Sequence, residues 1–185
     1  MNRVLLFLIL ALLLPLSLAV QDLLPSLPPF GERLLLFPVV FAFGVLALPL
    51  VPALGFALLA ALLQGLMLLQ VQAGQAEIGL TLPVVFFLGW TIALQIASEA
   101  TRGMSWELHA VGGALVTFTM LAGQFLTLCI KRGGFPVDLS ILLRIAVPSV
   151  AAILLAPLLY LLLCSLVPLA ADEAQPGGMP KGPAY

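Results

Sequence analysis

The spacing of charged residues constrains this chain more than any other feature. No Asp, Glu, Lys or Arg lies between Arg3 and Asp22, and none occurs in the 43 residues from Leu34 to Ala76. Charge-free runs of 21 residues (Ile78 to Ser98), 23 residues (Leu108 to Ile130) and 27 residues (Ile145 to Ala171) follow. A helix needs roughly 20 apolar residues to cross the hydrocarbon core of a bilayer. The five runs therefore hold about six crossings, the longest run supplying two. Only 8% of the chain is charged and 63% is apolar, whereas a soluble domain carries about a quarter charged residues. A water-facing surface drawn from this pool would be one large apolar patch prone to aggregation. Barrel strands alternate polar and apolar residues, and these runs are apolar on every face. The expected fold is an all-α membrane protein with about six transmembrane helices.

The first predicted helix spans Val4 to Val20. A signal peptide is the competing reading: Arg3, an apolar stretch from Val4 to Leu14, Pro15 as a breaker, then Ser17-Leu18-Ala19. The five hydrophobic segments that follow favour a retained helix. A loop with Pro25, Pro28 and Pro29 covers Gln21 to Arg33. Helix two is expected from Leu34 to Leu48, with a tight turn at Pro49 and Pro52, and helix three continues to about Val71. Gln72 to Glu77 reads as a polar loop containing Gly74. Helix four is expected from Ile78 to Ser98 and helix five from Leu108 to Ile130. Pro38 and Pro83 fall early in helices two and four, where membrane helices tolerate proline. Lys131-Arg132-Gly133-Gly134 and Pro136 close helix five. Asp138 or Ser140 is placed to cap helix six, expected from Leu139 to Leu166. Residues 1–169 thus form a polytopic transmembrane domain, and 170–185 a Pro/Gly-rich tail with the composition of disordered chain. Arg3, Arg102 and Lys181 fall on one side and Arg33, Lys131 and Arg132 on the other, with Arg144 just inside helix six, so charge alone sets no orientation.

A net charge of −1 leaves no electrostatic footprint for nucleic acid. Cys129 and Cys164 sit inside predicted helices without a CxxC pattern and read as small buried hydrophobes. Polar groups within membrane helices are the natural candidates for function. In helix four, Thr91, Gln95, Ser98 and Arg102 recur at helical spacing on one face, with Glu99 beside them. They form a candidate polar groove with Trp90 as a wall. Equally, Glu99 and Arg102 mark the membrane boundary and Gln95 bonds a neighbouring helix. In helix five, Gly113, Thr117 and Gln124 share a face, and Gly112, Gly113, Thr119 and Gly123 are small residues suited to close helix approach. Together these six positions are a candidate packing or partner face. Gln64 in helix three fits an interhelical hydrogen bond. His109, the only histidine, opens helix five next to Trp106 and Glu107 and is expected near the headgroups. One histidine with two glutamates is too small a ligand set for zinc. Ser105 lies four residues before His109, but no GxSxG motif accompanies the pair. No Walker or dinucleotide-binding pattern is present. No catalytic set and no cofactor is implied, which leaves a membrane scaffold, a solute-binding transport subunit, or an enzyme without a legible motif.

The last helix adds a resemblance. Leu142-Leu143-Arg144-Ile145-Ala146-Val147-Pro148-Ser149, then Ala151 to Leu155, then Ala156-Pro157-Leu158-Leu159-Tyr160, resembles the closing segment of the bacterial rod-shape-determining MreD family. The matching elements are an LLR start with Arg144, Pro148 a few residues on, and the late Ala156-Pro157 step. The helix-two and helix-three hairpin, Gly55-Phe56, Gln64-Gly65 and Ile78-Gly79-Leu80 match in order. The family often has Asp where Gln64 stands, and often Asn near Ala152. The resemblance spans Val4 to Leu166. It implies a fold like the substrate-binding subunits of energy-coupling-factor transporters, and a non-catalytic scaffold of cell elongation in the bacterial inner membrane. It also implies cytoplasmic termini and MreC, a single-span protein, as partner. Through MreC come RodA, a penicillin-binding protein and, indirectly, the MreB filament. A small-solute or vitamin-binding transport subunit is the alternative.

Overall fold

The computed structural model describes residues 3–24, 34–67, 70–72, 75–77, 80–101, 106–135 and 138–166. They form six α-helices: α1 (Arg3–Leu23), α2 (Phe37–Ala47), α3 (Leu50–Met67), α4 (Thr81–Ala100), α5 (Trp106–Arg132) and α6 (Leu139–Leu166). A short antiparallel hairpin, β1 (Gln70–Gln72) and β2 (Gln75–Glu77), joins α3 to α4. Helix three was expected to reach Val71 and Gln72 to Glu77 to be a loop. Instead α3 stops at Met67 and the glutamine-rich stretch turns back on itself, pairing Gln70 with Glu77 and Val71 with Ala76. The proline-rich loop before Leu34, the Ile78-Gly79 step, Arg102, Ser105 and the tail from 167 onward lie outside the described residues.

Five helices are long and apolar enough to cross a membrane, and the chain is read as a multi-pass membrane protein. The sixth falls short of that length. At 11 residues, α2 is about 16.5 Å long, against a hydrocarbon core of about 30 Å. It does not meet lipid: every residue from Phe37 to Leu46 is buried, as expected of a helix apolar all round. α1, α3, α4, α5 and α6 all touch it. The lipid-facing belt is carried by the outer faces of the long helices, where Leu12 and Leu154 are each 71% exposed.

The boundaries of α2 follow from local chemistry. Pro38 sits in its first turn, where a missing N–H costs nothing. At the other end Leu48 is extended, with φ −103° and ψ 147°, the conformation that a following proline imposes on the preceding residue. The chain then reverses into α3. The hairpin is tight because Gly44 has no side chain: a Cβ there would overlap the Phe56 ring of α3. Phe56 stacks on Phe41 at 6.1 Å, and Phe87 of α4 meets Phe41 edge-on at 4.7 Å and Phe37 at 5.8 Å. This aromatic column fixes α2, α3 and α4 to one another. α1 adds Leu10, Leu14 and Leu18 to the same core, all buried. Cleavage after Ala19 would strip those three side chains from it.

On the opposite side, α5 and α6 pack along α2 through small residues. Ala110, Ala152 and Ala156 are buried with Val39, the close approach that small side chains permit between membrane helices. Of the last-helix motif, Pro148 and Ala156 face inward, Pro157 is half-buried and Arg144 is exposed. α6 opens at Asp138: its backbone carbonyl accepts from the Ile141 and Leu142 amides, and Ser140 Oγ donates to the Asp138 carboxylate at 2.7 Å.

Candidate functional site

Contacts across helix pairs give the registers that shape the site. Val39 of α2 faces Gly113 of α5, and Phe43 faces His109. The two helices therefore run antiparallel, with α2 starting only two residues past Val39, about 3 Å further on. Thr119 to Gln124 stand six to eleven residues beyond Gly113, about 9 to 16 Å past it. That part of α5 has outrun the end of α2. α4 approaches α5 where a Cβ on Gly112 would lie 2.9 Å from Leu94 Cδ2. Further along, with α2 no longer between them, the α3–α4 hairpin and α5 enclose a wedge.

The wedge encloses about 90 Å³ and is lined by Gln64 of α3, Leu82, Pro83, Phe86 and Phe87 of α4, and Thr119, Met120, Gly123 and Gln124 of α5. Phe87 is the inner wall, its ring already against Phe37 and Phe41. The outer rim includes the exposed Leu82. Thr119 turns its hydroxyl back to the Leu115 carbonyl at 2.7 Å, so it presents mostly its methyl group. A Cβ on Gly123 would meet nothing within 4 Å. Gln64 and Gln124 are half-buried. They lie about 21 Å and 27 Å along their helices, within the apolar spans. No hydrogen bond joins either amide to another described residue.

The six helix-five candidates thus fall into two groups. Gly112, Gly113 and Thr117 face inward: Gly113 packs on Val39 at ordinary contact distance, and Thr117, fully buried, donates to the Gly113 carbonyl at 2.7 Å. Thr119, Gly123 and Gln124 line the wedge. Of the six, these three are therefore the ones left open to a partner.

The helix-four candidates have other surroundings. Thr91 is fully buried and donates to the Phe87 carbonyl at 2.8 Å. Gln95 Nε2 donates to the carbonyls of Val45 at 2.6 Å and Leu48 at 2.9 Å. The Val45 carbonyl lacks its intrahelical donor because residue 49 is proline, and Leu48 leads into a turn whose residues 49 and 52 are both prolines. The Gln95 amide supplies both missing N–H groups. Ser98 is half-buried and Glu99 exposed. Trp90 is partly buried against the main core.

His109 opens α5, three residues past its start at Trp106. It is 2% exposed, with its ring 5.1 Å from both Phe43 and Tyr160. Helical phase turns it into the bundle: His109 lies on the inward face of α5, with Ala110 and Gly113, while Trp106 and Glu107 point outward. Spacing from Gly113 carried that signal in the sequence. Among the described residues no group of three or more His, Cys, Asp or Glu is placed to hold a metal ion.

Comparison of the chain with protein-family models, with curated proteins and with solved structures found no match.

Proposed function

We propose that this chain is a non-catalytic scaffold of the bacterial inner membrane, of the kind its resemblance to the MreD family implies. In this reading it binds an MreC-like single-span protein and through it serves the wall-synthesis machinery of cell elongation. One observation supports this reading above others: where the polar groups of the membrane-spanning helices point. The buried hydroxyls of Ser17, Thr91, Thr117 and Ser149 donate to carbonyls of their own helices. The Gln95 amide is committed to the end of α2. Gln64 and Gln124 line a wedge that opens sideways, and Gln21 Oε1 of α1 is buried without a hydrogen-bond partner among the described residues. A laterally open, apolar groove suits a protein partner in the bilayer better than a polar solute arriving from water.

The transport alternative draws on a different feature, the short central helix. Transporters place their sites at interrupted helices whose ends lie within the membrane. The two readings separate by partner. The scaffold reading expects the full chain, purified in mild detergent, to bring down the MreC-like protein encoded in the same genome. It also expects depletion to round the cells. Co-purification of an ATPase without that single-span protein, together with normal cell shape on depletion, would instead favour transport. Reporter fusions at Tyr185 test the cytoplasmic termini that the resemblance implies.

A further inference from the structure

We propose that the turn joining α5 to α6 binds the headgroup of an anionic phospholipid through Lys131, Arg132 and Arg144. The proposal is independent of the scaffold reading.

Charge is unevenly placed along this chain. Between Leu108 and Ala171 the only Asp, Glu, Lys or Arg residues are Lys131, Arg132, Asp138 and Arg144. Three cations thus stand with one carboxylate, in a chain whose net charge is −1. α5 ends at Arg132 and α6 starts at Leu139, so the turn brings all three bases to one corner of the bundle. The backbone keeps that corner tight. Gly133 has a φ of 69°, the left-handed conformation that glycine adopts at low cost. Its amide donates to the Ile130 carbonyl at 3.3 Å, and the Gly134 amide donates to the Cys129 carbonyl at 3.2 Å. This pair of bonds closes a helix at a glycine.

Those bonds bear on what the bases do. Basic residues in a last turn often serve their own helix by bonding its terminal carbonyls. Here the glycine amides already meet two such carbonyls. The opposing carboxylate is engaged as well, since Asp138 accepts from Ser140 Oγ at 2.7 Å. Arg144 lies on the exposed side of α6, and its depth favours lipid. The 28 residues of α6 make a helix of about 42 Å, roughly 12 Å longer than the hydrocarbon core. Shared between the two ends, the excess is about 6 Å at each. Arg144, about 7.5 Å past Leu139, then sits at the hydrocarbon boundary, within reach of the phosphates. An arginine there lays its stem along apolar surface and offers its fork to a phosphate. Leu126 and Ile130 of α5, Phe135 of the turn, and Leu139 and Leu142 of α6 are exposed beside the bases. They give the acyl chains of the same lipid an apolar surface, which a soluble anion would not use.

The test is lipid binding by the full chain in mild detergent, read by native mass spectrometry and by the rise in melting temperature on adding lipid. The probes are phosphatidylglycerol, phosphatidylcholine with the same acyl chains, and inorganic phosphate. The wild type should hold phosphatidylglycerol roughly tenfold or more tighter than phosphatidylcholine. Inorganic phosphate at millimolar concentration should neither compete nor stabilise. Lys131→Gln with Arg132→Gln and Arg144→Gln should weaken phosphatidylglycerol binding about a hundredfold, roughly fivefold per charge. Arg3→Gln with Arg102→Gln and Lys181→Gln removes the same charge elsewhere and should change binding little. If the first triple variant melts early without lipid, Arg144→Gln alone takes its place, with a loss of roughly fivefold expected. Equal losses in the two triple variants reduce the effect to overall charge and overturn the site. Equal binding of phosphatidylcholine does the same. Competition by inorganic phosphate assigns the bases to a soluble anion. Unchanged lipid affinity in the first triple variant, with co-purification of the MreC-like protein lost, assigns them to a protein contact. Each of these results defeats the proposal.

Discussion

Gln95 carries the sharpest lesson at the scale of single residues. Prolines at 49 and 52 remove the donors that Val45 and Leu48 would otherwise find, and this need is readable from the sequence by counting four residues on. The supplier is not, because Gln95 lies 50 residues from Val45 and reaches it only once α4 has folded against the hairpin. Gln95→Leu should strand two carbonyls inside the bundle. Unsatisfied buried groups cost about 1–3 kcal/mol, so the variant should melt several degrees lower in detergent, measured by tryptophan fluorescence or circular dichroism. A melting curve equal to wild type would mean another donor replaces it. A loss of function in this variant would therefore report on folding and not on a solute site. At the mouth of α6, Asp138 gives a titration. The Ser140 hydroxyl bonded to it holds its carboxyl below the ordinary value of 3.8, a slight desolvation opposes this, and the amides of Leu139 and Ser140 assist. A depressed folded value means that the cap's contribution is full above 3.8 and is lost as pH falls through the lower folded value. The Asp138 carboxyl carbon signal should titrate below 3.8 in the wild type and move upward in Ser140→Ala; identical midpoints would remove the hydroxyl as the cause.

At the scale of elements, α2 is held by a fit that leaves no slack. Gly44→Ala should push the Phe56 ring out of its stack on Phe41, an overpacking cost of about 1–3 kcal/mol. Gly89→Ala, on an open face of α4 where nothing lies within 4 Å, should leave stability unchanged or slightly raised. If the stack is the cause, Phe56→Leu should offset part of the Gly44→Ala loss in a double-mutant cycle, giving a coupling energy that additive behaviour would exclude. The element count was legible because charges punctuate the chain at helix ends. Helix six agreed at both ends, bounded by the charge of Asp138 at one and by the proline-rich stretch that begins at Pro168 at the other. The length of α2 was not legible. It lies in the 43-residue stretch without a charge, and Leu34 to Leu36 are as apolar as the helix they precede. The hairpin of β1 and β2 escaped for another reason: its strands, Gln-Val-Gln and Gln-Ala-Glu, alternate polar and apolar residues over only three positions each, too short a run to announce a strand. The wedge was half legible. Thr119, Gly123 and Gln124 were recognisable as a small and polar stripe, but their separation from Gly112, Gly113 and Thr117 depends on where α2 stops.

At the scale of the whole molecule, five long helices surround one short one, and this inverts the usual relation of core to solvent. In a soluble bundle the apolar side chains point inward; here both the centre and the periphery are apolar, and position is set by shape and by the few polar groups. Phe37 to Leu46 are buried on all sides, yet they are no more apolar than the outer faces of α1 and α6. A small photoactivated carbene reagent dissolved in the bilayer separates the two populations without altering the protein. Peptides carrying Leu12 and Leu16 of α1 and Leu154 and Leu158 of α6, all more than half exposed, should be labelled heavily. The peptide containing Phe37 to Leu46 should be labelled weakly, and should rise to the level of the others only when the bundle is unfolded in harsh detergent. Heavy labelling of Phe41 or Val45 in the folded protein would mean that α2 meets lipid. The wedge would then be no consequence of its shortness, and the central-helix architecture would have to be abandoned.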